Sequence, residues 1–328
     1  MSNAEPRHPK IKEVDDLEVI SLLDNSADFL STPERKEVQH FREWTRKRYG
    51  GEWTNTHSKL PFAEHGFSML IRTLRAGKST SILFDTGSSS NGVIENARRM
   101  DIDLKEVETL ILSHGHYDHS GGLLSSLNAI GRVGLSIIVH EDMFKTRGVA
   151  NPDGTIRMFP EFATKKELSA AKLIVAKQPY LVADDRVLIT GEIPRETSFE
   201  KGYLQHRALV NGLWQPDPLI LDDRAIIINV KGKGLVVISG CAHAGIINTL
   251  NYAKRITGIA ETYAVIGGFH LAGKEAETRI PQSIEEIQSI NPTIIVAAHC
   301  TGWRAKCAIA NTMPKKLIWN NVGNLYKL

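Results

Sequence analysis

Within six residues, His114-Gly115-His116-Tyr117-Asp118-His119 places three imidazoles and a carboxylate directly after the apolar run Thr109-Leu110-Ile111-Leu112. The run predicts a buried strand. Four such side chains converge only if the turn that follows wraps around a common centre. Gly115, Gly121 and Gly122 give the backbone the freedom that a tight turn of this kind needs. Imidazole suits zinc, copper, iron and nickel, and a carboxylate beside it suits zinc or iron. A d-block metal centre at the end of a strand is therefore expected, rather than a solvated histidine loop.

The surrounding sequence repeats one theme: a short β-rich segment, a polar turn, then a helix. Ser68 to Leu74 and Ser81 to Phe84 predict a hairpin that ends at Asp85-Thr86-Gly87, and Leu123 to Ile130 predicts a helix. In the second half, strands over Leu235–Ser239, Thr262–Ile266 and Thr293–Ala298 deliver Gly240-Cys241-Ala242-His243, Gly267-Gly268-Phe269-His270 and His299-Cys300-Thr301-Gly302. Two such halves sharing a polar edge suggest an α+β sheet-on-sheet sandwich flanked by helices, with a site where strand ends converge. Residues 1–55 differ from the rest and are expected to form a partly helical N-terminal extension, with the main domain over 56–328. Thr32 as N-cap and Pro33 at the first helical position predict a helix over 33–49, whose basic and aromatic residues pack as a solvated amphipathic element. Between the halves, about 144–221 collects Asn151-Pro152-Asp153-Gly154, Phe159-Pro160 and Gln215-Pro216-Asp217-Pro218, and reads as a lid-like insertion that sets specificity.

Composition removes other classes. With 40 Lys+Arg against 37 Asp+Glu, mixed along the chain, no electrostatic footprint for nucleic acid is present. No apolar run reaches the roughly 18–20 residues that a bilayer-spanning helix needs, so no membrane partner is expected. The polar start lacks the apolar core of a secretory signal, and three cysteines are too few for a disulfide framework, so a cytoplasmic location is expected. A small-molecule substrate, phosphorylated ones included, fits this balance; oligomeric state is not legible.

Leu83-Phe84-Asp85-Thr86-Gly87 followed by Ser113-His114-Gly115-His116-Tyr117-Asp118-His119-Ser120-Gly121-Gly122 resembles the metallo-β-lactamase superfamily. With Gly240-Cys241-Ala242-His243-Ala244-Gly245, Gly267-Gly268-Phe269-His270-Leu271 and His299-Cys300-Thr301-Gly302, it resembles in particular the branch of 7,8-dihydropterin-6-yl-methyl-4-(β-D-ribofuranosyl)aminobenzene 5′-phosphate synthase. The resemblance covers about residues 57–328 and implies an αββα sandwich holding two divalent metal ions, zinc first, with iron or manganese as alternatives. It implies His114 and His116 on one metal, and Asp118 and His119 on the other, joined by His299. Asp85 matches the aspartate that orients the metal-binding turn through hydrogen bonds without binding metal itself.

The superfamily's aspartate that bridges the metals has no counterpart here; Ser239-Gly240-Cys241-Ala242-His243 lies where it is usual. His243 is preferred over Cys241 to complete a site because an imidazole reaches further from a glycine-rich turn, although a thiolate at Cys241 is a soft ligand that suits zinc. His270 is open between ligand and acid/base, and with Asp118 is expected to take part in the chemistry. Arg195, in Gly191-Glu192-Ile193-Pro194-Arg195-Glu196-Thr197, could with Arg207 or Arg157 clamp a phosphate or carboxylate, and His140 could line the cavity. His57, His65 and His206 are expected to be structural. The expected activity is that of a metal-dependent hydrolase or a C–N bond-forming synthase on a small, anionic, ring-bearing compound. An iron-dependent redox enzyme and a non-catalytic metal-containing binding module are the rivals.

Overall fold

Along the strand Ala225–Val230 every residue is buried, yet successive side chains enter different cores: Ile226 and Ile228 face one way, Ala225 and Ile227 the other. The next strand, Gly234–Ser239, divides in the same manner, with Val236 and Ile238 opposed to Leu235 and Val237. Strands covered on both faces read as continuous apolar runs, and these belong to the middle of a layered structure. The computed structural model describes residues 9–32, 35–56 and 59–328; Pro33 and His57 lie outside them.

Two eight-stranded sheets pack face to face. The first runs Tyr180–Val182, Val187–Ile189, Ala225–Val230, Gly234–Ser239, Thr262–Gly268, Ile294–Ala298 and Leu317–Trp319, with Glu13–Val14 beside Ala225–Val230. The second runs Lys172–Val175, Ser136–Val139, Val107–Ile111, Lys78–Phe84, Ser68–Arg75, Asp16–Leu23, Leu325–Lys327 and Val38–Gln39. Met69, Ile71, Phe84 and Ile111 meet Ile226, Val236, Ile266 and Val296 between the sheets. Helices Gly92–Arg99 and Leu123–Ile130 cover Leu70, Leu83 and Leu110 on one outer face; Ile246–Thr257, Ile280–Ile290 and Trp303–Thr312 cover the other. The result is the α+β sandwich expected, four layers deep.

Three readings of the sequence require correction. The described part of the first 55 residues is partly helical but does not stand apart from the main domain: Asp16–Leu23 is an interior strand, paired with Ser68–Arg75 on one side and Leu325–Lys327 on the other. The helix placed over 33–49 begins only at Phe41, because Val38–Gln39 is drawn into an edge strand against Leu325–Lys327. Its Phe41 and Trp44 are buried, and the Trp44 indole N–H donates to the Gly323 carbonyl at 2.7 Å, so the helix packs its aromatic face on the sandwich. Finally, the 144–221 stretch is divided. Lys172–Val175, Tyr180–Val182 and Val187–Ile189 extend the edges of the main sheets, and only Arg147–Ala150, Ile156–Met158, His206–Val210 and Leu213–Pro216 form a separate four-stranded sheet.

Candidate metal centre

The strand Val107–Ile111 ends in the turn that carries His114, His116, Asp118 and His119, and the short helix Tyr117–Ser120 turns the last two inward. Across the sandwich, Gly234–Ser239, Thr262–Gly268 and Ile294–Ala298 are adjacent parallel strands whose ends bring up Cys241 and His243, His270, and His299. Backbone strain collects here: Asp85, Ala242, His270 and His299 all hold left-handed φ angles, of 60°, 54°, 41° and 43°. Non-glycine residues persist in that region when their surroundings over-determine them, and such positions cluster at functional sites.

One group of donors is made of imidazoles. His243 Nε2 lies 3.2 Å from His114 Nε2 and 3.1 Å from His116 Nδ1. Burial pushes all three rings well below the usual histidine range, which leaves them neutral with lone pairs available. On the far side of the rings, His114 Nδ1 meets the Ser113 hydroxyl at 2.9 Å, whereas His116 Nε2 and His243 Nδ1 have no hydrogen-bond partner among the described residues. The peptide between the first two ligands is braced instead. Gly115 N–H donates to Asp222 at 2.9 Å, and Asp222 accepts two bonds, of 2.8 and 2.6 Å, from buried Arg147.

The second group carries charge. His119 Nε2 lies 3.2 Å from His299 Nε2, and an Asp118 carboxylate oxygen lies 3.2 Å from that same His299 nitrogen. Each ring is held from behind: His119 Nδ1 meets Asp85 at 2.6 Å, and His299 Nδ1 meets the Asn25 side-chain oxygen at 2.9 Å. Asp85 also accepts from the Ser113 N–H and hydroxyl, both at 2.7 Å, and Asp24 accepts the His299 N–H at 2.7 Å. Burial opposes the charge on His119, but the Asp85 and Asp118 carboxylates outweigh it and push that ring up to about 9.

Cys241 belongs to both groups. Its sulfur sits within 4.8 Å of ring nitrogens of His114 and His243, and equally of His119 and His299, at 3.0 Å from His119 Nε2. Both residues of the open choice stand among the donors, the His243 imidazole in one group and the Cys241 thiol between the two. His270 stands to one side, its ring 4.3 Å from His243 and 4.5 Å from Tyr203, with Nδ1 lacking a partner among the described residues. These donor sets fit a pair of d-block ions, because buried imidazoles, those of the first group neutral, converge with a carboxylate and a thiol.

Not every expected substrate residue faces this centre. Arg195 donates to the main-chain carbonyls of Ile193 and Leu219, and Arg207 to those of Leu204 and His206, so neither guanidinium is a free clamp. His140 is buried, caps Glu141–Phe144 by accepting the Asp142 N–H, and meets Glu192 at 3.1 Å. The Gly191–Thr197 motif stitches the insertion to the sandwich: Glu192 N–H donates to the Lys177 carbonyl, and the N–H groups of Glu196 and Thr197 donate to Asn248. Arg157 is exposed, with its guanidinium 5.4 Å from the Phe159 ring centroid.

Sequence reasoning missed a wall. Phe159 and His206 place their rings 5.1 and 5.2 Å from His116, and Tyr203 lies 5.3 Å from His243. All three come from the insertion, and His206, expected to be structural, is one of them. His65 was also passed over; it approaches Asp118 at 3.4 Å from a mostly exposed position. Asp24-Asn25, directly after the alternating run of Asp16–Leu23, could have been found had that run been read as a strand. Nothing local in the sequence marks Asp222, Arg147, His65 or His206.

Comparison with known proteins shows the family. The metallo-beta-lactamase superfamily model matches residues 62–195. Two proteins of Methanocaldococcus jannaschii are similar. The 7,8-dihydropterin-6-methyl-4-(β-D-ribofuranosyl)-aminobenzene-5′-phosphate synthase is 30% identical over 254 residues, 75% of this chain and 84% of its own. An uncharacterized protein is 31% identical over 272 residues, 83% and 96% of the two chains. Among solved structures, a metal-dependent hydrolase of the β-lactamase superfamily aligns with a TM-score of 0.69 at 23% identity, over 95% of this chain and 98% of that one. Catalytic roles aside, the chain belongs to the metallo-β-lactamase superfamily.

Proposed function

We propose that the protein is a two-metal enzyme acting on a small, anionic, ring-bearing substrate of the dihydropterin or ribofuranosyl-aminobenzene phosphate kind. One observation carries the reading: two groups of buried donors share Cys241 and lie against a wall of aromatic rings. His114, His116 and His243 would hold one ion, Asp118, His119 and His299 the other, with the Cys241 thiolate between. Divalent ions so held supply Lewis-acid polarisation of a carbonyl or phosphoryl oxygen and an ionisable water near neutral pH.

The protein's own groups divide the remaining work. Phe159, Tyr203 and His206 offer faces on which a planar ring can stack, and Arg157, held over Phe159, offers a cation to an anionic substituent. His270 presents an unpartnered ring nitrogen beside the imidazole group, placed to give or take a proton at the substrate. Asp85 and Asn25 keep the donor nitrogens of His119 and His299 turned inward. The name of the archaeal synthase supports the finer substrate class, and C–N bond formation beside hydrolysis.

The test is metal content by mass spectrometry on protein purified without added metal, together with turnover. The assays pair a dihydropterin pyrophosphate with a ribofuranosyl-aminobenzene phosphate, and set a generic phosphodiester and a generic lactone beside them. About two zinc ions per chain with turnover of the pterin pair supports the synthase reading. Turnover of the diester or lactone alone places the chain among hydrolases. Iron brings the redox reading forward, and absence of any tightly held metal overturns the proposal.

A further inference from the structure

At the same strand ends a third cluster adds Cys300, which the proposed chemistry does not use, to Cys241 and His270. The sulfurs of Cys241 and Cys300 and a ring nitrogen of His270 lie within 4.8 Å of one another. The two cysteines follow Gly234–Ser239 and Ile294–Ala298, strands separated in the sheet by Thr262–Gly268. What lets them meet across that middle strand is the absence of a side chain at Gly268. A Cβ there would stand 2.6 Å from Cys300 Sγ and 3.4 Å from Cys241 Cα. Cys300 Sγ also approaches the Cys241 carbonyl oxygen at 3.6 Å, so the thiol rests against its neighbour's backbone.

Exposure separates the two partners. Cys241 is buried, Cys300 is partly open, and Cys307, which is exposed, belongs to no such cluster among the described residues. We infer that Cys241 and Cys300 form an oxidative modification site, in which a hydroperoxide converts the pair to a disulfide and thereby removes the thiolate shared by the two donor groups. The balance is as follows. The Cys300 thiolate attacks the outer oxygen of the hydroperoxide, the O–O bond breaks, and a sulfenic acid and an alkoxide or hydroxide result. The Cys241 thiolate then attacks the sulfenic sulfur, the S–O bond breaks, hydroxide leaves and takes up a proton as water, and the S–S bond forms. Two thiols are oxidised and one hydroperoxide is reduced. Bond formation requires the two sulfurs to move from this spacing to about 2.05 Å.

The consequence for metal rests on the two-metal reading; the cross-link itself does not. As purified, the full-length protein is treated with hydrogen peroxide and then digested without reductant. Mass spectrometry reads the peptide pair joining Cys241 to Cys300, and a chromogenic chelator reads released metal. Expected is the joined pair together with loss of most of the metal, both reversed by dithiothreitol and re-addition of the ion. Cys307→Ser should behave like the parent; Cys300→Ser should hold metal before treatment, form no such pair and keep its metal at the same dose. Oxidation of Cys300 to the sulfinic acid with no joined pair overturns the inference, as does equal metal loss from Cys300→Ser. If the untreated protein holds no metal but the pair forms, the modification site stands and the two-metal reading falls.

Discussion

The two donor groups are built on opposite principles. His114, His116 and His243 are neutral rings, two of them without a hydrogen-bond partner behind them among the described residues, and their geometry comes from packing and from the bond between Gly115 N–H and Asp222. In the group of Asp118, His119 and His299 the two rings are instead tied from behind, His119 by a carboxylate and His299 by an amide, with Asp24 gripping the backbone of His299. Partners of that sort fix ring orientation and raise ligand basicity. The difference teaches where each half of the centre is vulnerable: the first through the brace that shapes its turn, the second through the hydrogen bonds that aim its rings.

The largest test of this contrast pairs His119→Ala with His116→Ala. Both should abolish turnover and cost metal. His119→Ala should in addition destabilise the fold by about 3–5 kcal/mol, since it strips a buried charge partner from Asp85. His116→Ala removes a ring nitrogen that had no partner, and its unfolding midpoint in urea should move far less. Equal midpoint shifts in the two variants would break the comparison. Next in size, Asp222→Ala leaves buried Arg147 with Asp217 alone, at 2.8 Å, and frees Gly115. It should cost about 3 kcal/mol in stability and lower affinity at the imidazole group while sparing the other, as read by competitive titration with a metal indicator. Uniform loss at both groups would mean that Asp222 only holds the fold together.

How much of this was legible depends on how far the information is spread along the chain. Four donors fall within His114–His119, and their order with Asp85 was readable because a single turn carries them. The second-half donors stand at the ends of separate strands, Cys241 and His243 after one and His270 and His299 after two others, so no local spacing relates them. The relation between Cys241 and His243 was not readable at all. Ala242 between the thiol and the imidazole holds a left-handed φ of 54°, a conformation that residue spacing alone does not announce. Asp16–Leu23 is hidden for a different reason: it is buried on both faces, Leu17 and Val19 in one core and Ile20 and Leu22 in the other, so it lacks the clean alternation of a half-buried strand. His206 and Tyr203 carry no motif, and only the pairing of His206–Val210 with Arg147–Ala150 brings them over the centre.

The charged group can be probed more finely through the residues behind it. Asp85→Asn keeps the shape and the acceptor oxygen but removes the negative charge facing His119. It should weaken metal binding at that group about 10- to 100-fold, with the imidazole group unchanged in the same titration. A loss confined to the imidazole group would reverse the assignment of Asp85.

The smallest effect belongs to Asn25→Ala. The bond it deletes, from His299 Nδ1 to a neutral amide at 2.9 Å, is held by a residue whose side chain also meets His65 Nδ1 at 3.3 Å. A neutral hydrogen bond of this kind contributes about 0.5–1.5 kcal/mol, so affinity at the charged group should fall about 2- to 10-fold. That loss should be smaller than for Asp85→Asn, because His299 keeps the Asp24 bond on its backbone and loses only the restraint on its ring. An Asn25 variant as damaging as the Asp85 variant would show that ring orientation, not the charge behind the ring, governs the second group. The contrast between the two halves of the centre would then reduce to one of geometry alone.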